Sequence, residues 1–469
     1  MRISMFLALA LLGAAQAPAQ GNVLLVIADD LGTDKLLSYG ARRPPATPRL
    51  DALAAGGLQF EQCWANPVCS PTRATIQTGR YSFRTGVGTA IPGGPPLDQA
   101  ERTLAEALAE SGAPHATALL GKWHLGGGLA STTESLDPNR QGYAHFAGLL
   151  AGAFAGPFNY ERWPRTEDGA TTLSRDYATS VNVDDALAWI DDQSGPWFAC
   201  VSFNAPHTPF HAPPAALHGL TLPPGRPCDR PLPFYKAMVE AMDAEVGRLL
   251  DSLDPDVAAA TTVIFVADNG TTGDVVSPPL HPDQAKGSLY QGGIRVPLII
   301  AGRGVAAAGR RVSALVNTTD LFVTILQLCG VDPAQLRGGA PADSVSLMPY
   351  LRDPTAKAQR EHAFAEVFVG TSSTAASATP TGSLQSGSPP TGSADAGCLI
   401  AGAVITSGKT IRNATHKLLR FADGREELYD LTNDPRERTD LLVGGGLQPA
   451  AQAAYDDLDA ALQQLLQSP

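Results

Sequence analysis

The chain has 469 residues, long enough to bury a large core and to divide into two or three domains. Its formal net charge of −12, with the signs scattered along the chain, leaves no basic face and excludes nucleic acid as an expected partner. An acidic protein that handles anions must gather positive charge locally, and a bound cation is one way to do so.

Residues 1–19 read as an export signal: Arg2, an apolar run from Met5 to Gly13, and Ala17-Pro18-Ala19 as a small-residue cleavage site before Gln20. That run is too short to span a bilayer and no later segment reads as a span. The expectation is an exported protein, periplasmic or extracellular, without stable membrane insertion. Six cysteines (63, 69, 200, 228, 329, 398) lack framework spacing, so no pairing is assigned.

Asn22 to Ala28 is a continuous apolar run expected to form a strand covered on both faces. It ends in Asp29-Asp30, where open α/β sheets place their ligands. Adjacent aspartates point apart on a strand, yet at a frayed end both can turn to one hard cation; an Asp-Asp-x-Gly turn is the alternative. Thr47-Pro48 opens a capped helix, followed by a strand to Phe60 and the stretch Cys69-Ser-Pro-Thr-Arg73. Pro71 suits a first helical turn, which puts Cys69 just outside a helix N-terminus, near the positive end of its dipole. A small buried apolar residue is the alternative reading of an isolated cysteine.

Residues 101–111 have helical spacing, and Ala116 to Leu120 is a second strand delivering Gly121-Lys122-Trp123-His124-Leu125-Gly126. Lys122 and His124, two apart at a strand end, share a face. Residues 127–175 show weak periodicity and read as long surface loops lining a pocket, with His145 at the surface. A helix over 174–193 and a strand over 197–203 lead to His207, held between Pro206 and Pro209 on a loop whose backbone suits a positioned general acid. His211 is unassigned. An amphipathic helix over 234–253, with acidic residues on its polar side, precedes a buried strand, Thr262 to Ala267, ending in Asp268-Asn269. Two apolar strands thus finish in pairs of oxygen ligands: Asp29, Asp30, Asp268 and Asn269 form a calcium- or magnesium-type set, not a zinc set.

Lys286 to Pro297 leads into a strand over 298–301, and a helix over 321–329 closes a large domain near residue 350. Residues 371–397 are Ser, Thr, Gly, Ala and Pro and read as a flexible segment. Short strands at 399–406, 409–413 and 416–421 and a terminal helix at 451–466 make up a smaller C-terminal subdomain over 351–469.

Together these segments resemble the type I, formylglycine-dependent sulfatases of the alkaline phosphatase superfamily. The resemblance rests on Cys69-x-Pro-x-Arg73 with Thr78-Gly79-Arg80, on Gly121 to Gly126, on Lys286-Gly-Ser-Leu-Tyr-Gln-Gly-Gly-Ile-Arg-Val-Pro297 and on Glu427-Leu-Tyr-Asp-Leu431, in family order over nearly the whole mature chain. Three positions depart from the family pattern. Thr72 stands where Ser is commoner, Gln291 replaces a Glu, and Gly142-Tyr-Ala-His-Phe146 lacks an Asp.

The resemblance implies an α/β fold: a large domain (20–350) with a mostly parallel, helix-flanked sheet, and a C-terminal α+β subdomain with an antiparallel sheet. It implies an arylsulfatase-like sulfuric ester hydrolase acting on an aryl sulfate or a sulfated carbohydrate. Cys69 would be converted by a formylglycine-generating maturation enzyme, and its hydrated aldehyde would attack sulfur. Asp29, Asp30, Asp268, Asn269 and the modified Cys69 would hold Ca2+, or Mg2+. Arg73, Lys122 and Lys286 would hold sulfate oxygens, His207 with Lys286 would protonate the leaving oxygen, and His124 would take the proton that lets sulfate depart. A phosphate or phosphonate ester hydrolase of the same superfamily is the first alternative, and an inactive secreted metal- or glycan-binding protein the second.

Overall fold

The computed structural model describes residues 21–126, 134–369 and 405–468. The export signal and the segment over 371–397 lie outside these residues, as does most of the strand expected over 399–406. Among the described residues no helix is long and apolar enough to cross a membrane.

Ten strands form one sheet. In chain order they are β1 (Asn22–Ala28), β2 (Gly57–Trp64), β3 (Ala116–Lys122), β4 (His145–Leu149), β5 (Trp163–Glu167), β6 (Ala170–Ser174), β7 (Trp197–Ser202), β8 (Thr261–Ala267), β9 (Arg295–Gly302) and β10 (Arg310–Asn317). Their spatial order is β10-β2-β9-β8-β1-β7-β3-β4-β5-β6, and β9 and β5 run opposite to the rest. Every residue of β1, β7 and β8 is buried, which explains why these strands read as unbroken apolar runs. Each fully buried Val, Leu or Ile there contributes roughly 1.5–3 kcal/mol.

Two groups of helices flank the sheet. The helices Pro48–Ala55, Ala178–Asp191 and Pro231–Asp251 pack together, and Cys69–Thr78, Leu104–Glu110 and Asp320–Leu328 form a second group. The polar side of Pro231–Asp251 does not face water as its sequence suggests. Glu240, Asp243 and Glu245 are buried, and Asp243 accepts from the backbone N–H groups of Arg49 (3.1 Å) and Leu50 (2.8 Å). The carboxylate thereby caps the Pro48–Ala55 helix, whose own N-cap residue Thr47 makes no side-chain cap bond.

A second sheet is antiparallel, with β11 (Ala363–Val367), β12 (Gly408–Arg412), β13 (His416–Phe421) and β14 (Glu426–Asp430) in that order. The terminal helix Pro449–Gln467 packs on it through Leu458 and Leu462, in a cluster shared with Tyr81, Phe364, Ile411, Leu418 and Leu428. Cys63, Cys69, Cys200 and Cys329 are free and buried, and Cys228 is in a disulfide.

The expectation of loops over 127–175 is corrected by β4, β5 and β6, which extend the large sheet to its edge. Cys69, expected just outside its helix, is the first residue within it, with Val68 as N-cap.

Candidate active site

The site lies at the C-terminal ends of the central strands. β1 and β8 are parallel neighbours with Ala28 opposite Ala267, so the residues that follow, Asp29-Asp30 and Asp268-Asn269, emerge side by side. Asp30 has φ 70°, in the left-handed region, and this breaks the strand alternation that would otherwise send the two aspartates apart. The Asp30 backbone N–H donates to Asp268 Oδ1 at 3.2 Å, and Asn269 Nδ2 donates to Asp30 Oδ1 at 2.7 Å.

Two further strand ends complete the floor. Lys122 is the last residue of β3, and its Nζ pairs with Asp29 Oδ2, both groups fully buried. Ser202 ends β7, and its Oγ donates to the Lys122 carbonyl at 2.8 Å. Arg73, on the inner side of the Cys69–Thr78 helix, reaches down to this floor. Its Nε and Nη2 donate to Asp268 Oδ2 (3.1 and 2.8 Å), and its Nη1 donates to Ser202 Oγ and to the Lys122 carbonyl. The guanidinium expected to grip sulfate is therefore engaged with the protein's own carboxylate and strand ends.

Cys69 is 2% exposed. Its Sγ and single carboxylate oxygens of Asp29 and Asp268 lie within 4.8 Å of one another, as do ligand atoms of Asp29, Asp30 and His207. Burial pushes the Cys69 thiol up, against the pull of Lys122 and Lys286. Burial and Asp268 likewise push Asp29 well up, with Lys122 opposing. At Asp30 burial acts in the same direction, but Lys286 and His207 outweigh it and hold the carboxyl at about 2. Lys286 pairs with Asp30 Oδ1, and despite its burial that carboxylate raises the lysine above its ordinary range.

His207 lies with Nε2 3.8 Å from Asp30 Oδ2 and Nδ1 2.8 Å from the Thr208 carbonyl. A proton on Nδ1 satisfies that carbonyl and leaves Nε2 facing the cluster. Burial pulls His207 down to about 3, with Asp30 opposing. His124, at φ 57°, sets Nε2 2.7 Å from the Ile91 carbonyl and leaves Nδ1 buried without a hydrogen-bond partner; burial, then Lys122, pull it well down. Asp29, Asp30, Cys69, Arg73, Lys122, His207, Asp268, Asn269 and Lys286 are thus linked through one cluster, and His124 faces it electrostatically through Lys122 and Arg73. His145 is apart, paired with Asp168, and His211 stacks on Tyr160.

The donor set fits a hard divalent cation. Asp29 Oδ1, Asp30 Oδ2 and Asn269 Oδ1 are buried and have no hydrogen-bond partner among the described residues. Three such orphaned oxygens in one cluster are costly unless a cation takes them.

A family model described as Sulfatase matches residues 21–331. The chain belongs to the sulfatase family. Among curated sulfatases it is 32% identical over 381 residues to N-acetylgalactosamine-6-sulfatase of Sus scrofa, covering 72% of this chain and 67% of that protein. It is 30% identical over 503 residues to arylsulfatase A of Homo sapiens, covering 98% and 91%. A solved structure titled as a complex with its substrate D-glucosamine-2-N,6-O-disulfate superposes with TM-score 0.70 at 20% identity, over 95% of this chain and 98% of that one. The sulfatase is accordingly a sulfuric ester hydrolase with the alkaline-phosphatase-like architecture.

Several side chains around the sulfatase site carry no sequence signal. Ser202 ends an apolar strand, and Tyr160 supports the His207 loop from a Gly- and aromatic-rich stretch. Gln291, which the sequence does mark by its departure from the family's Glu, accepts from Trp64 Nε1 at 3.3 Å, while its backbone N–H donates to Glu437.

Proposed function

We propose that the protein hydrolyses a sulfate monoester of a saccharide, with formylglycine made from Cys69 as nucleophile and a divalent cation, calcium or magnesium, held by Asp29, Asp30, Asp268 and Asn269. The observation that carries this reading is the position of the Cys69 Sγ beside Asp29 and Asp268, over three buried oxygens that lack partners. The hydrated aldehyde would supply an oxygen nucleophile and a second hydroxyl, and the cation would lower the cost of the first hydroxyl's ionisation. The thiol itself is a poor candidate because burial keeps it protonated.

The chain's own groups supply the remaining electrostatics. Lys122 and Lys286 bring two ammonium groups to the cluster, where they offset charge that builds on sulfate oxygens. Arg73 fixes Asp268 and the ends of β3 and β7, so its contribution runs through the geometry of the cluster. His207 and Lys286 stand together at Asp30 as the proton donors to the leaving oxygen. Lys286 carries the proton in the free site, and a bound sulfate raises His207. His124 offers the free Nδ1 lone pair to the proton released after ester cleavage.

The saccharide reading is supported by the name of the porcine relative and by the ligand of the structural neighbour. Mass spectrometry of the peptide containing Cys69, together with desulfation of saccharides of defined sulfate position, tests the proposal. The expected result is an aldehyde mass at position 69 in active preparations and no turnover by Cys69→Ala. Full activity in protein whose residue 69 is wholly cysteine would overturn it.

A further inference from the structure

Beside the site lies a cavity of about 210 Å³ whose walls include Arg42, Arg295 and Arg436 with Tyr39, Pro279 and Leu280. None of the three guanidinium groups has a carboxylate partner among the described residues. The carboxylate in the wall, Asp34, is engaged: its oxygens accept from Thr271 Oγ1 (2.6 Å) and the Ser277 backbone N–H (2.9 Å), and it pairs with Lys35 at 3.2 Å. Arg295 is half-buried, and its hydrogen bond to Thr33 Oγ1, at 3.3 Å, is to a neutral oxygen.

The electrostatics behind Arg295 increase the excess of positive charge. Arg412 bonds to Gln62 and to two backbone carbonyls, and burial followed by Arg295 pulls it down to about 10. Glu437, the nearby carboxylate, is taken by the buried Lys417 and by the Gln291 N–H. Burial pulls Arg295 down, and Tyr39, Glu61, Glu437 and Asp34 oppose this only from a distance, without a direct ion pair; such a half-buried cation grouped with two others is costly unless an anion joins them.

The pocket adjoins the proposed centre. Gly292, in its wall, packs against Gly270, the residue after Asn269, so closely that a Cβ on Gly270 would stand 1.8 Å from the Gly292 carbonyl oxygen. Thr33, also in its wall, lies three steps along the chain from Asp30, a reach of about 11 Å at most.

The geometry points to a second oxyanion site, in which Arg42, Arg295 and Arg436 bind a tetrahedral sulfate- or phosphate-type group, either as the free ion or as a further sulfate of a saccharide held in the catalytic site. The guanidinium forks suit such a group, and the apolar Tyr39, Pro279 and Leu280 suit the body that carries it. The second source rests on the sulfated-saccharide reading above; the first does not.

Isothermal titration of the intact protein with inorganic sulfate, and separately with inorganic phosphate, reads the pocket directly. The expected result is one more bound oxyanion per chain in the parent than in Arg42→Ala/Arg436→Ala. Both residues are exposed, so the variant keeps the parent's Tm and its turnover of a small aryl sulfate. Arg295→Ala loses the same ion, and the exposed pair keeps the test valid should that variant unfold. Kinetics on a polysulfated oligosaccharide separates the sources: KM rises at least tenfold in the double variant when the substrate carries the group, and is unchanged when the free ion is the ligand. Equal stoichiometry and equal KM in parent and double variant overturn the site. A parent that turns over no sulfate ester overturns the reaction instead, while the titration still decides the pocket.

Discussion

The phenol of Tyr160 lies 2.7 Å from the carbonyl oxygen of His207 and 2.7 Å from that of Asn204, and so ties both ends of the His207 turn to one buried hydroxyl. Tyr160 is 1% exposed, and its ring stacks on His211 at 4.2 Å. Removing the hydroxyl leaves the His207 carbonyl to find another donor, while the Asn204 carbonyl keeps the His207 backbone N–H at 2.9 Å, and lets the turn shift. Tyr160→Phe is expected to fold with a loss of about 1–3 kcal/mol. Its kcat should fall on the order of ten- to a hundredfold with KM little changed, because a small displacement of His207 acts on the reaction more than on binding. Unchanged kcat in steady-state assays would remove Tyr160 as a positioning residue.

Gly152 stands against the other histidine. A Cβ there would lie 2.1 Å from His124 Nε2, so Gly152→Ala must push the imidazole off the Ile91 carbonyl. The expected outcome is a folded protein, destabilised by about 1–3 kcal/mol, with turnover reduced at least tenfold. Thermal melts and kcat on one substrate check both parts.

Cation binding should appear as stability. With Asp29, Asp30 and Asp268 converging and three oxygens unpartnered, a divalent ion bound to the folded state alone adds about 2.7 kcal/mol at a hundred times its Kd. Chelated protein is expected to melt lower than protein given calcium or magnesium, and Asp30→Ala to lose most of that difference. A Tm indifferent to chelation and readdition would speak against the site.

Asp243 supplies a pH test outside the site. Burial raises this carboxyl to about 6, against the N–H groups of Leu50 and Arg49 that it accepts from, whereas in the unfolded chain it titrates near 3.9. Between those values the folded state binds the proton more tightly, so this contribution stabilises at low pH and is lost as pH rises through about 6. Denaturant unfolding of the parent and Asp243→Asn at pH 4.5 and 7.5 should show the parent's relative stability falling by on the order of 2 kcal/mol at the higher pH. A pH-independent difference would contradict it.

The clustering of the candidate site was legible because its residues sit where apolar runs stop. β1 and β8 declare themselves by unbroken branched residues, and Asp29-Asp30 and Asp268-Asn269 follow directly. β4 to β6 were not legible: β5 carries Pro164 inside five residues, and β6 is almost wholly solvent-facing at the sheet edge, so neither shows alternation. Asp243 reads as part of the polar side of its helix because helical periodicity cannot tell water from another helix's backbone N–H groups, and Glu245 because it cannot tell water from the Ser180 hydroxyl. The commitment of Arg73 to Asp268, 195 residues away, and the hold of Tyr160 on a carbonyl 47 residues away leave no local pattern at all.

The burial of Cys69 would also set an order of events for the conversion proposed above. All ten residues of its helix are buried, and the thiol is enclosed by strand ends drawn from positions as far apart as Asp29 and Asp268. A macromolecular catalyst acting on Sγ must therefore meet the chain before this helix docks. The long-range pairing of β1 with β8 that builds the site also closes it, so the speed of folding limits how long residue 69 stays within reach.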